Sequence, residues 1–246
     1  MDPTTIVWMA LLMGLAAALY SAVGHGGASA YLAIMALFSV APETMRPTAL
    51  ALNLIVSGFA AWRYFRGGQF NSGLFLAFAV TAVPMAFLGG RVQLPPEIYR
   101  PLVGAVLWLA AIRFLWQPAR LAERTVRPPR LVIVLPTGAG LGFLAGLTGT
   151  GGGIFLSPLI LLFRWEEPRR TSGVAAAFIF VNSAAGLAGN VTAVEAMPAA
   201  LPWFAASVAA GALAGTWLGM EKLPRPQLLQ ALGLVLTIAG AKLIFS

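Results

Sequence analysis

The chain has 246 residues, of which 59% are hydrophobic and only 10% charged, with a mean hydropathy of +0.84. A soluble domain carries about 25% charged residues, so an ordinary water-soluble globule is excluded. The absence of cysteine excludes disulfides, thiolate chemistry and cysteine-ligated metals. The formal charge of +8 sits largely in short polar stretches, as in polytopic membrane proteins whose cytoplasmic loops collect Lys and Arg. A second reading of that excess is attraction of anions to the mouth of a pathway.

The apolar runs are long and continuous, which predicts helices rather than the short alternating strands of a barrel. The first covers residues 5–23; no Lys or Arg precedes it and Asp2 is acidic, so it reads as a retained spanning helix, not a signal peptide. The turn Gly24-His25-Gly26-Gly27 follows, then a short run over 29–40. Runs over 48–65, 73–90 and 99–116 complete a first repeat, 1–116. Residues 117–130, rich in Arg and Pro, read as a cytoplasmic linker. The second repeat, 131–246, holds runs over 131–147, 153–163, 172–189, 198–219 and 228–245. Its short second run is again preceded by glycines, Gly149-Thr150-Gly151-Gly152.

The two halves superimpose in sequence. Shifted by 125, Gly24, Gly26 and Gly27 fall on Gly149, Gly151 and Gly152, His25 on Thr150, and Ser57 on Asn182. Later the offset becomes 129 and pairs Gly104 with Gly233 and Arg113 with Lys242. If all ten segments cross, the linker, the loop with Arg63 and Arg66, and the stretches 164–170 and 221–225 share the cytoplasmic side. The loop 189–198, which has no Lys or Arg, and both termini then lie outside. Turning the short segments back would strand Arg63 and Arg66 outside, so crossing is the better reading. Five crossings per repeat invert the second against the first. The predicted fold is therefore an all-α polytopic membrane protein of two inverted five-segment repeats, an architecture of secondary transporters.

In such a pair the glycine turns approach a shared centre from opposite faces. A helix N-terminus presents free N–H groups and a partial positive charge, and glycines let a ligand reach the backbone. Gly24, Gly26, Gly27, Gly149, Gly151, Gly152 and Gly153 are thus candidates for an anion site, with His25, Ser29 and Thr150 beside them. Packing alone is the rival account of these glycines. His25 can contact a substrate, hold a helix start or carry a proton; its equivalent, Thr150, cannot titrate. Asn53 and Ser57 share one helix face, and Asn182 and Ser183 occupy the matching region; they either line a cavity or join helices. The glycines of 138–146 and 211–219 recur at four-residue spacing and predict close helix contacts. Arg113 and Lys242 are expected to snorkel to the interface, and Arg91 to snorkel or guard an entrance. No Asp or Glu falls inside a run, so a carboxylate that couples ions is not apparent.

These features, the element GTGGGIFLSP over 149–158 and its degenerate copy GHGGASAYLA over 24–33, together with the duplication and the size, resemble the sulfite exporter TauE/SafE family, also called the toluene-sulfonate uptake permease family. The likeness spans essentially the whole chain. The first copy departs from the pattern, with Ala28 and Ala33 where the second has Gly153 and Pro158. The resemblance implies a transporter of sulfite or organosulfonates in the inner (plasma) membrane, usually an exporter. The expected partners are a small anionic substrate and the lipid bilayer, with no nucleic acid. Proton or ion coupling and a homo-oligomer stay open. No cofactor or metal is expected, and without a GK[ST] after the glycines direct ATP use is not. A passive anion channel, a carrier of another small organic anion and a membrane assembly factor are the alternatives. One histidine and no clear nucleophile motif argue against an enzyme.

Overall fold

The computed structural model describes residues 2–22, 26–115, 126–190, 197–218 and 225–245. Gly24 and His25 lie outside the described residues, as do 117–125 of the linker, 191–196, 221–224 and the side chain of Arg113. Among the described residues the chain forms helices only, in the order α1 (Pro3–Ala22), α2 (Ala28–Leu37), α3 (Pro42–Arg66), α4 (Ser72–Arg91), α5 (Pro96–Leu115), α6 (Leu131–Thr148), α7 (Gly153–Leu162), α8 (Pro168–Gly189), α9 (Leu201–Leu218) and α10 (Arg225–Phe245). Four of them, α1, α4, α6 and α8, are long and apolar enough to cross a membrane by length and composition.

The helix starts follow local chemistry. Asn71 caps α4 by accepting from the N–H of Leu74 at 3.0 Å. Proline opens α3 and α8, where its missing N–H and fixed φ cost nothing. This extends α3 back to residue 42 and α8 back to 168, rather than the expected 48 and 172. Arg46 thereby becomes a helix residue. Helices α2 and α7 have 10 residues each, about 15 Å, half the roughly 30 Å of hydrocarbon.

Glycine stripes set the closest packing. A Cβ on Gly142 or Gly146 would fall onto the carbonyls of Ala82 and Ala86, so α6 lies backbone to backbone against α4. Gly211 and Gly215 bring α9 equally close to Gly14 and Ala18 of α1. The four-residue spacing thus makes the tight contacts expected of it. Packing crosses the sequence halves: α1 pairs with α9, α4 with α6, α3 with α8 and α5 with α10. One apolar core is drawn from α1, α2, α3, α5, α9 and α10 with Ile154 of α7, and a second from α4, α6, α7 and α8. Other apolar side chains face outward, among them Trp8, Leu11 and Leu15 of α1.

The path of α7 bears on the short segments. Gly149 rests on Arg46, which is bonded to the carbonyl of Gly90 at the C-terminal end of α4. Just past α7, Glu166 accepts from Asn71 at the N-terminal end of α4, and Trp165 packs against Phe78. The stretch from Gly149 to Glu166 therefore reaches from the level of one end of α4 to the level of the other, about 30 Å for its 20 residues, instead of turning back.

Candidate functional site

Asn53 lies fully buried in the middle of α3. Its Oδ1 accepts from the N–H of Ala28, the first residue of α2, at 3.2 Å. Its Nδ2 donates to Ser183 Oγ of α8, also at 3.2 Å. The two glycine turns close on this pair. A Cβ on Gly26 would sit 2.7 Å from Asn53 Oδ1 and 3.1 Å from Ile179 Cγ2. On Gly151 it would overlap Asn53 Nδ2 and stand 3.0 Å from Ser183 Oγ. Gly26 and Gly151, equivalent in the two halves, thus touch the same amide from two sides. Gly151 and Gly152 have φ of +73° and +79°, the left-handed region in which other residues are strained.

The remaining expected residues fall around this centre. Gly153 abuts Ile179, and Gly152 abuts Phe178. Ser57 donates to the carbonyl of Asn53 at 2.6 Å, so its proton is spent within α3. Ser29 is paired with the Tyr20 hydroxyl at 2.7 Å. Gly27, the N-cap of α2, lies under the Tyr31 phenol. The Thr150 side chain bonds to Thr148 and not to the Asn53–Ser183 pair. Its hydroxyl is 2.9 Å from that of Thr148, which already donates to Leu144 O at 2.7 Å. A hydroxyl has one proton, so Thr150 supplies the shared one. Thr150 secures the turn to the end of α6.

Asn182 is fully buried, and neither amide atom has a hydrogen-bond partner among the described residues. Phe178 and Gly186, one turn to either side on the same face, touch Gly152 and Gly146. Asn182 therefore sits level with the end of α6 and the second glycine turn. A buried amide left unpaired costs about 1–3 kcal/mol, and Asn182 recovers none of that through hydrogen bonds among the described residues.

No Asp or Glu belongs to this centre among the described residues, nor do they hold any cluster of three or more His, Asp or Glu that could bind a metal. The polar groups on offer are amides, hydroxyls and the N–H groups at the start of α7, whose N-cap Gly152 has no side-chain cap. Neutral donors at a helix N-terminus suit an anion.

Arg46, which the sequence reading passed over, is the buried cation nearby. Nη1 donates to Val92 O at 2.8 Å and Leu147 O at 3.3 Å, and Nη2 to Gly90 O. With its amide oxygen turned to the guanidinium, Asn190 accepts from Nε at 3.3 Å and Nη2 at 3.1 Å. All five N–H groups are thus used, on the C-terminal ends of α4, α6 and α8. Convergent helix C-termini carry partial negative charge, which offsets the guanidinium without a carboxylate. The proline at residue 42 was the signal that could have placed Arg46 in a helix. Lys242, expected at the interface, donates to Leu37 O at 2.8 Å and Ser39 Oγ at 3.0 Å, closing the end of α2. Arg91 lies over the Phe87 ring at 5.9 Å.

The family model described as Sulfite exporter TauE/SafE matches residues 9–243. A protein of Sinorhizobium fredii (strain NBRC 101917 / NGR234), named "Probable membrane transporter protein y4hK", is 36% identical over 252 residues, covering 98% of this chain and 99% of that relative. No solved structure matches.

Proposed function

Since this multi-pass chain belongs to the sulfite exporter TauE/SafE family of membrane transporters, we propose that it is a secondary transporter of sulfur-containing anions such as sulfite or organosulfonates, working as an exporter. The observation that carries this reading is the meeting of both glycine turns on the buried Asn53–Ser183 pair, level with the unpaired amide of Asn182. A pyramidal or tetrahedral oxyanion has several acceptor oxygens. The Ser183 hydroxyl, the Asn182 amide and the first N–H groups of α7 offer donors for them. Gly24 and His25, which precede Gly26 in the sequence, are further candidate contacts in this reading.

Two inverted repeats fit the way the helices pair. Exchanging each helix for its counterpart five places on maps α1–α9 onto α4–α6 and leaves α3–α8 and α5–α10 unchanged. Alternating access then moves packed sets of helices drawn from both repeats, because sliding one repeat past the other would break the glycine contacts. The plasma membrane, with both termini outside, is the location this reading carries.

Thermal unfolding of the detergent-purified chain against sodium sulfite, sulfoacetate, sulfate, lactate and chloride at matched ionic strength tests it. A ligand at 100 times its Kd adds about 2.7 kcal/mol. Saturable stabilisation by sulfite or sulfoacetate alone, with counterflow in vesicles, is the expected result. A response to lactate alone would move the assignment to another organic anion, and flux without counterflow to a passive channel.

A further inference from the structure

We propose that the phenol of Tyr31 is a substrate-binding donor at the first glycine turn, selecting for an oxyanion; this rests on the anion-site reading above. Tyr31 is fully buried in α2, and its hydroxyl has no hydrogen-bond partner among the described residues. Its head lies on Gly27, the N-cap of α2: a Cβ there would overlap Oη and Cζ and come within 2.9 Å of Cε1. Gly26, one residue earlier, lies on the Asn53 amide. Consecutive Cα atoms are about 3.8 Å apart, so two adjacent glycines put the phenol and the amide beside one short piece of backbone.

Packing does not account for the hydroxyl. The position 125 residues on from Tyr31 is Leu156, which is also fully buried in the matching short helix. An apolar side chain fills that place in the second half, whose short helix carries its own unpaired buried hydroxyl one residue on, at Ser157; in the first half the unpaired atom sits on the phenol that covers the glycine turn. Such an atom is costly unless something comes to meet it. It lies at the positive end of a helix, where an oxyanion would be met. A phenol donates one strong hydrogen bond to an anion without bringing a charge of its own.

The decisive variant is Tyr31→Phe, which keeps the ring and removes the hydroxyl. In the purified full chain the unfolding temperature without added anion should stay the same or rise. The apparent Kd for sulfite or sulfoacetate should increase about tenfold or more, as expected for a lost hydrogen bond to a charged group. Ser183→Ala serves as the companion. If Ser183→Ala weakens binding while Tyr31→Phe leaves the Kd unchanged, the role of Tyr31 is overturned and the anion site stands. A lower unfolding temperature for Tyr31→Phe without anion would also overturn it, because the hydroxyl would then serve the fold. If no anion stabilises the unaltered chain, the site reading fails and Tyr31 with it.

Discussion

Asn53 donates to Ser183 across 130 positions of sequence, joining the central helices of the two halves by one amide–hydroxyl contact of 3.2 Å. The same side chain holds the first N–H of α2. Replacing Asn53 with Leu should therefore remove two partners at once and cost about 1–3 kcal/mol of stability as well as ligand response. Ser183→Ala should cost less in stability, and thermal melts of both variants separate the two effects.

Asn182 behaves in the opposite sense. Its amide is buried without a partner, so Asn182→Leu should leave the empty protein as stable as before, or raise its unfolding temperature. Anion-dependent stabilisation should fall at the same time. A destabilised variant that still binds would assign Asn182 to packing.

The two residues of the second turn should differ sharply. Gly151→Ala places a Cβ on the Asn53 amide and forces a left-handed φ of +73°, so binding should be lost. Thr150→Ala removes one hydroxyl contact to Thr148 and should cost about 1 kcal/mol, with the affinity little changed. Equilibrium titration of the two side by side checks this contrast.

Arg46 is expected to be the least replaceable polar residue of the bundle. Arg46→Met leaves the carbonyls of Gly90, Val92 and Leu147 and the Asn190 amide without their donor, at roughly 1–3 kcal/mol for a buried group. Arg46→Lys keeps the charge but offers three N–H groups instead of five, and should fall between the two. Yield of monodisperse protein and its unfolding temperature report the order.

Glycine stripes allow an internal control. Gly142→Ala drives a Cβ into the Ala82 carbonyl and should prevent α6 from seating on α4. Gly140→Ala, two residues away in the same helix, meets nothing within 4 Å and should be neutral or stabilising by about 0.5–1 kcal/mol. Expression and melting of this pair test whether backbone proximity, rather than helix propensity, explains the stripe.

Much of this was readable in the residues. Hydropathy located all ten helices, and the doubled glycine turn pointed to the level at which the two halves meet. The starts of α3 and α8 were set late because a charged, proline-bearing stretch looks like a loop until the proline is seen as a first helical residue. The partnership of Asn53 with Ser183 was hidden for a different reason. Shifted by 125, Asn53 falls on Phe178, so the repeat itself does not pair the two polar residues. Arg46 escaped notice because its partners are three main-chain carbonyls and one neutral amide, with no carboxylate to mark the pairing. Periodicity tells which face of a helix is apolar, not which helix will cover it. The crossing of α1 to α9 and of α6 to α4 therefore needed coordinates.

That crossing has a consequence for how the chain is made. Gly14 and Ala18 meet Gly211 and Gly215, so α1 leaves the ribosome well before α9, its tightest neighbour, exists. Until then α1 stands in lipid with its close-packing face uncovered. Synthesis proceeds at about 5–20 residues per second, which makes this an interval on the order of ten seconds or more. Insertion and assembly are thereby separated in time, and the Asn53–Ser183 contact between α3 and α8 forms only when both halves are present.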